Sequence, residues 1–411
     1  MESQERSTDS NGAPPMKHTL LATARALRGA ALAVALGACA DVTEPRVPSA
    51  LDDPFLQASR HPDHDAQAFT VYSQNVYLGG DTGPIFTLDL SNLPAVLQAT
   101  NVFWAQVKAS DVPARAAQIA AQIETARPHV VGLQEVFRFV VVDPRNGQVH
   151  DYVDLLASIQ AELAARGLPY ELAAVQSNTS GALPLAIDFS AGQVSRALSF
   201  TDRVVALRRT DVALTDTDQG MYAARIPLGP LDVTRGWIRL SGEHDGLPFH
   251  FVTTHLETQG AAPVQAGQLA ELLGGVTAGL DGVTILAGDL NSDAAAAPGS
   301  PSWTPTYGAL VDAGFVDAWT QSAQRPRDPG YTCCQDADLR NGPSVLDERI
   351  DFVLVRMSDN PASSGRIPGS MRVDVVGEEQ ADRTASGLWP ADHAGLVAGL
   401  RLPRGLLAHR P

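Results

Sequence analysis

The chain has 411 residues, of which 44% are hydrophobic and 18% are charged. This is the composition of an ordinary globular protein, with room for one large domain or two small ones. The formal net charge of -16 and the lack of basic clusters argue against a generic nucleic-acid coat protein, because a polyanion binder gains affinity from clustered cations.

The first forty residues have the pattern of an export signal. Lys17, Arg25 and Arg28 precede the short apolar stretch GAALAVALGA, which ends in small residues just before Cys39. The stretch has about ten residues, too few to cross a hydrocarbon core roughly 30 Å thick. The tetrad LGAC at residues 36–39 resembles the lipobox of bacterial lipoproteins, in which the cysteine is acylated.

These features predict a lipoprotein-type signal peptide over residues 1–38 and lipidation of Cys39, with translation beginning at Met1 or Met16. The alternative is an ordinary secretory signal that happens to end at Cys39. We therefore expect an exported bacterial protein that is anchored to a membrane by lipid, or else is periplasmic or secreted. Residues 39–68 are rich in Pro, Asp, Ser and Ala without periodicity, which predicts a flexible linker.

The folded body opens with an alternating sequence. FTVYSQNVYL, residues 69–78, predicts a first strand. Repeating apolar faces predict helices over residues 111–126 and 151–166, and HVVGLQEV between them predicts a short buried strand. Further strands are predicted at residues 203–207, 236–240, 248–254, 283–287, 350–355 and 395–400, with a helix at 263–279.

Strands and helices are mixed along one continuous body, and many strands follow one another without an intervening helix. This order favours an α/β fold of two packed sheets flanked by helices over a purely doubly wound parallel sheet. The segments 79–110, 178–200 and 320–347 are predicted as long loops, which in compact domains usually form functional rims.

Polar side chains stand at the ends of the predicted strands. In LAGDLNSD, residues 286–293, Asp289 and Asn291 follow an apolar run directly. The equivalent positions of the other strands are Asn75, Glu135, His255, Asp351, Asp392 and His393. One such residue is usually a cap or a turn, but so many are hard to explain that way, because turns rarely select His and Glu. Strand ends of a layered fold converge on one edge, so we expect these groups to meet in a single cleft.

The segments that carry these residues are SQNVYL, GLQEV, THLE, GDLNSD, ERIDFVL and ADHAG. In sequence and in order they resemble the motifs of the endonuclease/exonuclease/phosphatase superfamily. That superfamily includes deoxyribonuclease-like enzymes, abasic-site endonucleases, neutral sphingomyelinases and inositol-polyphosphate phosphatases. The resemblance implies one such domain over residues 69–404, folded as a four-layered α/β sandwich of two packed mixed β-sheets flanked by helices. Its site would lie at one edge of the paired sheets.

The resemblance also implies a metal site. Glu135 and Asn75 match the family's metal-binding pair, and Asp392 is the expected additional carboxylate. Hard oxygen ligands of this kind suit Mg²⁺ or Mn²⁺. We therefore expect Mg²⁺, or Mn²⁺, as the cofactor.

The remaining matched residues are expected to act on the phosphate. Asp289 would orient or deprotonate the attacking water, and Asn291 would donate a hydrogen bond to a phosphate oxygen. The two side chains lie two residues apart on an extended segment and so point to the same side. His393 would act as acid/base or as a donor, with Asp351 fixing its tautomer, and His255 would be a second donor.

Two arginines and two cysteines are less specific. Arg203 in FTDRVVAL and Arg235 in TRGWIRL are placed where a cation could reach the substrate, but a solvated arginine explains each of them equally well. Cys333 and Cys334 are adjacent, which in an exported protein favours a disulfide between them. Zinc is not expected, because two adjacent thiols cannot complete a tetrahedral site without distant partners.

The predicted activity is divalent-metal-dependent hydrolysis of a phosphoester in a phospholipid head group, a nucleotide or a nucleic acid, with no protein partner predicted. A sphingomyelinase-like enzyme is one alternative, although the sequence shows no clear apolar hairpin for membrane insertion. A catalytically silent surface-binding protein on the same fold is an alternative of another class. Such a protein should have lost catalytic residues, and here they are all retained.

Overall fold

The computed structural model describes residues 66–403 except 88, 90, 229–230, 323–327 and 359–364. The predicted signal peptide, the lipidation site Cys39 and most of the predicted linker lie outside the described residues. Among the described residues, no helix combines the length and the apolar character that a membrane crossing requires.

The elements are numbered in chain order. The helices are α1 (Gly83–Phe86), α2 (Leu93–Ala109), α3 (Val112–Ala126), α4 (Leu155–Ala165), α5 (Ala262–Glu271), α6 (Thr306–Asp312) and α7 (Ala318–Gln321), and a π-helical turn (Leu272–Val276) continues α5. The strands are β1 (Ala66–Asn75), β2 (Val130–Gln134), β3 (Arg138–Val142), β4 (Val149–Asp154), β5 (Tyr170–Asp188), β6 (Gln193–Arg209), β7 (Ala213–Met221), β8 (Ile226–Leu228), β9 (Leu231–Val233), β10 (Gly236–His244), β11 (Leu247–His255), β12 (Val283–Asp289), β13 (Val316–Asp317), β14 (Asp351–Met357), β15 (Ser370–Val376) and β16 (Gly395–Pro403).

The strands form two large mixed sheets. Sheet 1 has the order β15-β16-β1-β2-β6-β3-β4, with β5 also paired to β6, and sheet 2 has the order β13-β14-β12-β11-β10-β7. Each sheet contains one parallel pair, β1 with β2 in sheet 1 and β11 with β12 in sheet 2. The strands β8 and β9 form a separate small antiparallel pair.

Among the described residues, three of the apolar cores lie between the four layers. Between the sheets, Phe69 and Val130 of sheet 1 pack with Phe251 and Ile285 of sheet 2. A second core packs α3 and α4 on the outer face of sheet 1, and a third packs α5 and α6 on the outer face of sheet 2. Burying each large apolar side chain contributes about 1.5–3 kcal/mol. The predicted α/β sandwich of two packed mixed sheets flanked by helices is confirmed.

The register of sheet 2 brings three of the predicted site residues to one edge. His255 is the last residue of β11 and lies opposite Asp289, the last residue of the parallel strand β12. Asp351 is the first residue of the antiparallel strand β14 and also lies opposite Asp289. The three side chains therefore start from adjacent positions of the same sheet edge.

Sheet 1 ends in the same way. Asn75 closes β1 opposite Gln134 of the parallel strand β2, and Glu135 follows directly. Asp392 and His393 come just before β16, which runs antiparallel to β1. The start of β16 pairs with the end of β1, where Leu396 lies opposite Ser73. Because the two sheets pack face to face, these residues lie at the same edge of the sandwich as those of sheet 2, where Asn75 Nδ2 donates a hydrogen bond to Asp289 Oδ2.

Two of the predicted loops are wrong. The segment 79–110 contains α1 and α2. Pro94 lies in the first turn of α2, where its missing N–H breaks no helical hydrogen bond, and the side chain of Asn92 caps the same helix. The segment 178–200 lies largely within the hairpin of β5 and β6. Pro184 does not break β5, because β5 lies outside the main strand order of sheet 1 and is hydrogen-bonded to one strand only, β6.

Other predicted boundaries hold to different degrees. The helix predicted over 111–126 is α3. The helix predicted over 151–166 begins only at Leu155, because Asp154 caps it and the residues before it form β4. The first strand begins at Ala66, three residues before the predicted start at Phe69.

His129 makes the stability of this fold depend on pH. Its Nδ1 accepts a hydrogen bond from the backbone N–H of Thr70 at 2.8 Å, and burial, followed by the charge of Arg209, lowers its pKa from 6.5 to about 3. Between these two pH values His129 is protonated in the unfolded chain but not in the folded protein. The free energy of unfolding should therefore fall as the pH drops through this window, by up to about 1.4 kcal/mol per pH unit.

Urea unfolding of the His129→Asn variant at several pH values measures this effect, because Asn retains an acceptor for Thr70 but does not titrate. We expect the variant to lose less stability than the wild-type protein on acidification below pH 6.5. Parallel pH profiles for the two proteins would contradict the assignment.

Candidate active site

Asp289 lies at the centre of the cluster. Its Oδ2 accepts a hydrogen bond from Asn75 Nδ2 at 3.0 Å, and its Oδ1 accepts one from the backbone N–H of Asn291 at 2.9 Å. The same Oδ2 is 3.4 Å from His255 Nε2 and 4.0 Å from His393 Nε2. Burial, followed by repulsion from Asp351, raises the pKa of Asp289 to about 7. The structure thus brings residues from four other segments to this carboxylate.

His393 is held by a buried carboxylate. Its Nδ1 lies 2.8 Å from Asp351 Oδ2, so Nε2 is the nitrogen that faces Asp289. Burial alone would lower the pKa of His393, but the carboxylates of Asp351, Asp392 and Asp289 outweigh it and raise that pKa well above its ordinary value. His393 is therefore an imidazolium at neutral pH, with a proton to donate from Nε2.

His255 has the opposite character. Burial, followed by the charges of Arg235 and His393, lowers the pKa of His255 well below its ordinary value. Arg235 Nη1 lies 2.9 Å from His255 Nδ1, and Arg235 is itself paired with Glu257 at 3.2 Å. A neutral and a charged imidazole thus flank one carboxylate. Such separation of pKa values is typical of sites that carry out acid/base chemistry.

Two further carboxylates, Asp392 and Glu135, adjoin this cluster. Asp392 Oδ1 is buried and has no hydrogen-bond partner among the described residues, and burial, with a contribution from Glu135, raises the pKa of Asp392 to about 7. Glu135 accepts a hydrogen bond from the N–H of Leu78 at 3.1 Å, and Asn75, the last residue of β1, lies at the same edge. An unpartnered carboxylate oxygen near a second carboxylate fits a divalent cation, and oxygen donors suit Mg²⁺ or Mn²⁺.

A second group of potential ligands overlaps the first cluster. Asp289, Asp351 and His393 each offer one ligand atom, and the three atoms lie within 4.8 Å of one another. The sequence predicted catalytic roles for these residues, and their geometry is compatible with both catalysis and metal binding. The cleft therefore concentrates donors for a cation and for a phosphate at one edge of the sheets.

The backbone of the site is held in unusual conformations. Glu135 and Asn291 both have positive φ, 55° and 48°, a conformation that is uncommon for non-glycine residues. Gly288 precedes Asp289 with φ of 148°, and a Cβ there would lie 2.0 Å from the carbonyl oxygen of Thr254. Any side chain at this position would push β12 away from β11 and displace Asp289.

The sequence profile of the Endonuclease/Exonuclease/phosphatase family matches residues 75–393, from the asparagine that contacts Asp289 to the histidine that Asp351 holds. The chain belongs to the endonuclease/exonuclease/phosphatase family. No curated protein matches the chain. Membership of this family supports phosphoester hydrolysis as the general class of activity, and enzymes of the family generally use divalent metals.

Solved structures similar to the chain are distant relatives. An endonuclease/exonuclease/phosphatase from Beutenbergia cavernae is 22% identical over 82% of this chain and 72% of its own, with a TM-score of 0.48. An endonuclease/exonuclease/phosphatase from Bacteroides vulgatus is 13% identical over 82% of this chain and 99% of its own, with a TM-score of 0.47. TDP2 from D. rerio, solved with a single-strand DNA product, is 16% identical over 81% and 99%, with a TM-score of 0.47.

The two arginines predicted to bind substrate have different contacts in this member of the endonuclease/exonuclease/phosphatase family. Arg235 lies beside His255, as described above. The guanidinium of Arg203 is engaged with Asp154 and with the carbonyls of Val136 and Phe137. These bonds hold the segment that follows Glu135 and turn Arg203 away from a direct substrate role.

The cysteine pair is joined in a disulfide, and Cys334 Sγ lies 3.9 Å from His393 Nε2. The sequence predicted this disulfide and a long loop around it, without a particular neighbour. The structure gives it one, the catalytic histidine candidate.

Three residues that matter for the site were missed from the sequence. Gln265 on α5 donates to the carbonyls of Glu257, Leu290 and Asn291, and Glu257, inside the motif THLE, pairs with Arg235. The third, Arg115, is fully buried on α3. A lone arginine in a helical pattern carries no signal of this kind, because its partners lie far away in the sequence.

Arg115 ties together segments close to Asp392 and Glu135. It donates to the carbonyls of Val76, Tyr77 and Pro390, the last two at 2.8 and 2.9 Å, and its charge lies close enough to Asp392 to lower the pKa of that carboxyl. Arg115→Met would leave three buried carbonyls without donors. We expect a loss of about 3–5 kcal/mol in the free energy of unfolding.

Urea unfolding measures this loss, with Arg127→Met at the exposed end of the same helix as the matched control. The control should change stability by less than about 0.5 kcal/mol. Equal effects of the two substitutions would contradict the assigned role of Arg115.

Proposed function

We propose that the chain hydrolyses phosphoester bonds in a reaction that depends on a divalent cation, Mg²⁺ or Mn²⁺. The observation that carries this proposal is the position of Asp289 Oδ2, within 4.0 Å of both His255 and His393. A carboxylate base, a charged donor and a neutral donor around one point fit the in-line attack of water at phosphorus, where negative charge develops on the phosphate oxygens.

In this proposal Asp289 accepts a proton from the attacking water. Asn75 and the backbone N–H of Asn291 fix the orientation of its carboxylate. A base that titrates near neutral pH is suited to the task, since proton-transfer catalysis is most efficient when the pKa matches the working pH.

The histidines and Asn291 would stabilise the phosphate. His393 donates from Nε2 as an imidazolium, because Asp351 occupies Nδ1 and favours the charged form. The amide of Asn291, 3.1 Å from His255 Nε2, places a second donor next to the neutral imidazole. Glu135, Asp392 and Asn75 would hold the cation, which when bound neutralises charge on the phosphate and the leaving oxygen.

A substrate panel tests this function. Plasmid DNA, sphingomyelin, inositol phosphates, nucleotides and bis-p-nitrophenyl phosphate are incubated with the full chain and Mg²⁺ or Mn²⁺. We expect turnover of at least one phosphoester, and none by the matched Asp289→Asn variant. A protein that binds these compounds but turns over none of them is the surface-binding alternative.

One observation favours phospholipid head groups as the substrate class. In the β5–β6 hairpin, Ser177 pairs with Arg203, whose carbonyl accepts a hydrogen bond from Val136, the residue after Glu135. From there the hairpin extends to its last pair, Asp188 with Gln193. Phe189 at its turn is 86% exposed. This hairpin was not apparent from the sequence, and an exposed aromatic at such a tip is suited to a lipid surface.

Sphingomyelin vesicles distinguish this second candidate. Phe189→Ser should slow hydrolysis in vesicles but leave the hydrolysis of bis-p-nitrophenyl phosphate unchanged, with Val311→Ser on α6 as the control for an exposed apolar residue elsewhere. Equal rates of the variant and the wild-type protein on vesicles would remove the phospholipid candidate and leave the general function untouched.

A further inference from the structure

The disulfide segment lies against both halves of the His393–Asp351 pair. The backbone of Thr332 accepts a hydrogen bond from the N–H of Ala394, and its Oγ1 accepts one from the N–H of Asp351. Cys333 forms backbone bridges to Glu348 and to His393. The two cysteines therefore occupy a fixed position next to the catalytic histidine candidate.

The side chains of the pair differ in access. Cys333 is buried, with 2% of its surface exposed, whereas Cys334 is exposed. Cys334 Sγ is 3.9 Å from His393 Nε2, the nitrogen that faces Asp289. A reductant can thus reach one sulfur from solvent, and that sulfur borders the reacting end of His393.

These atoms form a donor set for a soft metal. Cys333, Cys334 and His393 each offer one ligand atom, and the three atoms lie within 4.8 Å of one another. Thiolate sulfur and imidazole nitrogen are the ligands that Zn²⁺ prefers, and three protein ligands leave a fourth position for water. From the sequence, zinc was not expected without distant partners, and His393, 59 residues beyond Cys334, is such a partner.

We propose that Cys333, Cys334 and His393 form a Zn²⁺ site that exists only when the disulfide is reduced. Zn²⁺ bound there occupies His393 Nε2 and so inhibits hydrolysis. The binding half of the proposal stands on the geometry alone, and the inhibitory half rests on the proposed function.

The redox step balances with a dithiol or a phosphine as the reductant. With a dithiol, the Cys333–Cys334 bond accepts two electrons and two protons and becomes two thiols, while the dithiol becomes a disulfide. Binding of Zn²⁺ then releases one proton from each thiol and the Nε2 proton of the His393 imidazolium. In the disulfide form neither sulfur can act as a thiolate ligand, so the Zn²⁺ site is closed.

Binding is tested by metal titration of the full chain. The protein is reduced with tris(2-carboxyethyl)phosphine, desalted without oxygen and titrated with Zn²⁺ or Co²⁺, beside the oxidised protein. We expect the reduced protein to bind one more equivalent than the oxidised protein, and Co²⁺ to show thiolate-to-metal charge-transfer absorption only after reduction. A variant with Cys333→Ser and Cys334→Ser should behave like the oxidised protein in both states.

Inhibition is tested on the same samples with bis-p-nitrophenyl phosphate and Mg²⁺. One equivalent of Zn²⁺ should slow the reduced wild-type protein on the order of 100-fold, the size of a lost acid/base group. The oxidised protein and the double-serine variant should keep their rates, which controls for Zn²⁺ that displaces Mg²⁺ elsewhere in the cleft.

The two halves fail separately. Equal Zn²⁺ stoichiometry in the oxidised and reduced proteins would overturn the site itself, whether or not the protein is an enzyme. An extra equivalent bound without loss of rate would overturn the inhibitory role. An extra equivalent bound by a chain that hydrolyses nothing would refute the proposed function and, with it, the inhibitory half, but leave the metal site standing.

Discussion

Asp289→Asn is expected to lower kcat by about 1000-fold or more while the protein remains folded. The substitution removes the charge that accepts the proton of the attacking water and the central acceptor between Asn75, His255 and His393. General bases and charge stabilisation of this kind each contribute about 100-fold or more to catalysis. Steady-state hydrolysis of bis-p-nitrophenyl phosphate measures the change.

The stability of the same variant separates catalysis from folding. Burial and Asp351 raise the pKa of Asp289 from 3.8 to about 7, so the folded protein favours the protonated form, and above that pH it holds a charge it disfavours. In metal-free buffer at about pH 8, Asp289→Asn should therefore unfold at the same or a higher urea concentration than the wild-type protein. An inactive variant that is also strongly destabilised would leave the catalytic role without support, and a fully active variant would refute it.

Asp351→Asn is expected to have the second largest effect, a fall in kcat on the order of 100-fold at alkaline pH. Asp351 is the main group that raises the pKa of His393 against the effect of burial. Without that charge, His393 is protonated only at lower pH. The loss of activity should therefore be greatest at high pH and should shrink as the pH falls.

The pH profile of kcat from about pH 6 to about pH 9 measures this dependence. Asp374→Asn on the outer strand β15 is the matched control and should leave the profile unchanged. A uniform loss at every pH would show that Asp351 orients His393 without setting its charge.

The edge of the sandwich could be predicted from the sequence because apolar runs end there in acids, amides and histidines. Two strands of this kind, β11 and β12, are short, and they place His255 opposite Asp289. Each motif is local, and the order of the motifs carried the family resemblance. The expectation that these groups meet therefore needed no knowledge of side-chain contacts.

The supporting contacts could not be predicted, because they join segments that are distant in the sequence. Arg115 lies on a helix whose apolar face was clear, yet its partner Pro390 is 275 residues away. The hairpin of β5 and β6 was missed because Pro184 and the small residues around it resemble a loop locally. The hydrogen bonds between β5 and β6 hold this segment as a strand despite its local preference for a loop.

Hydrolysis of bis-p-nitrophenyl phosphate before and after removal of metal tests most directly whether one divalent cation and the Asp289 cluster act together on a phosphoester. We expect EDTA to abolish turnover by the full chain, and Mg²⁺ or Mn²⁺ to restore it. The Glu135→Gln variant, which lacks a predicted ligand, should need far more metal for the same recovery. A rate that EDTA leaves unchanged, or a protein that stays inert with every divalent ion, would contradict the account.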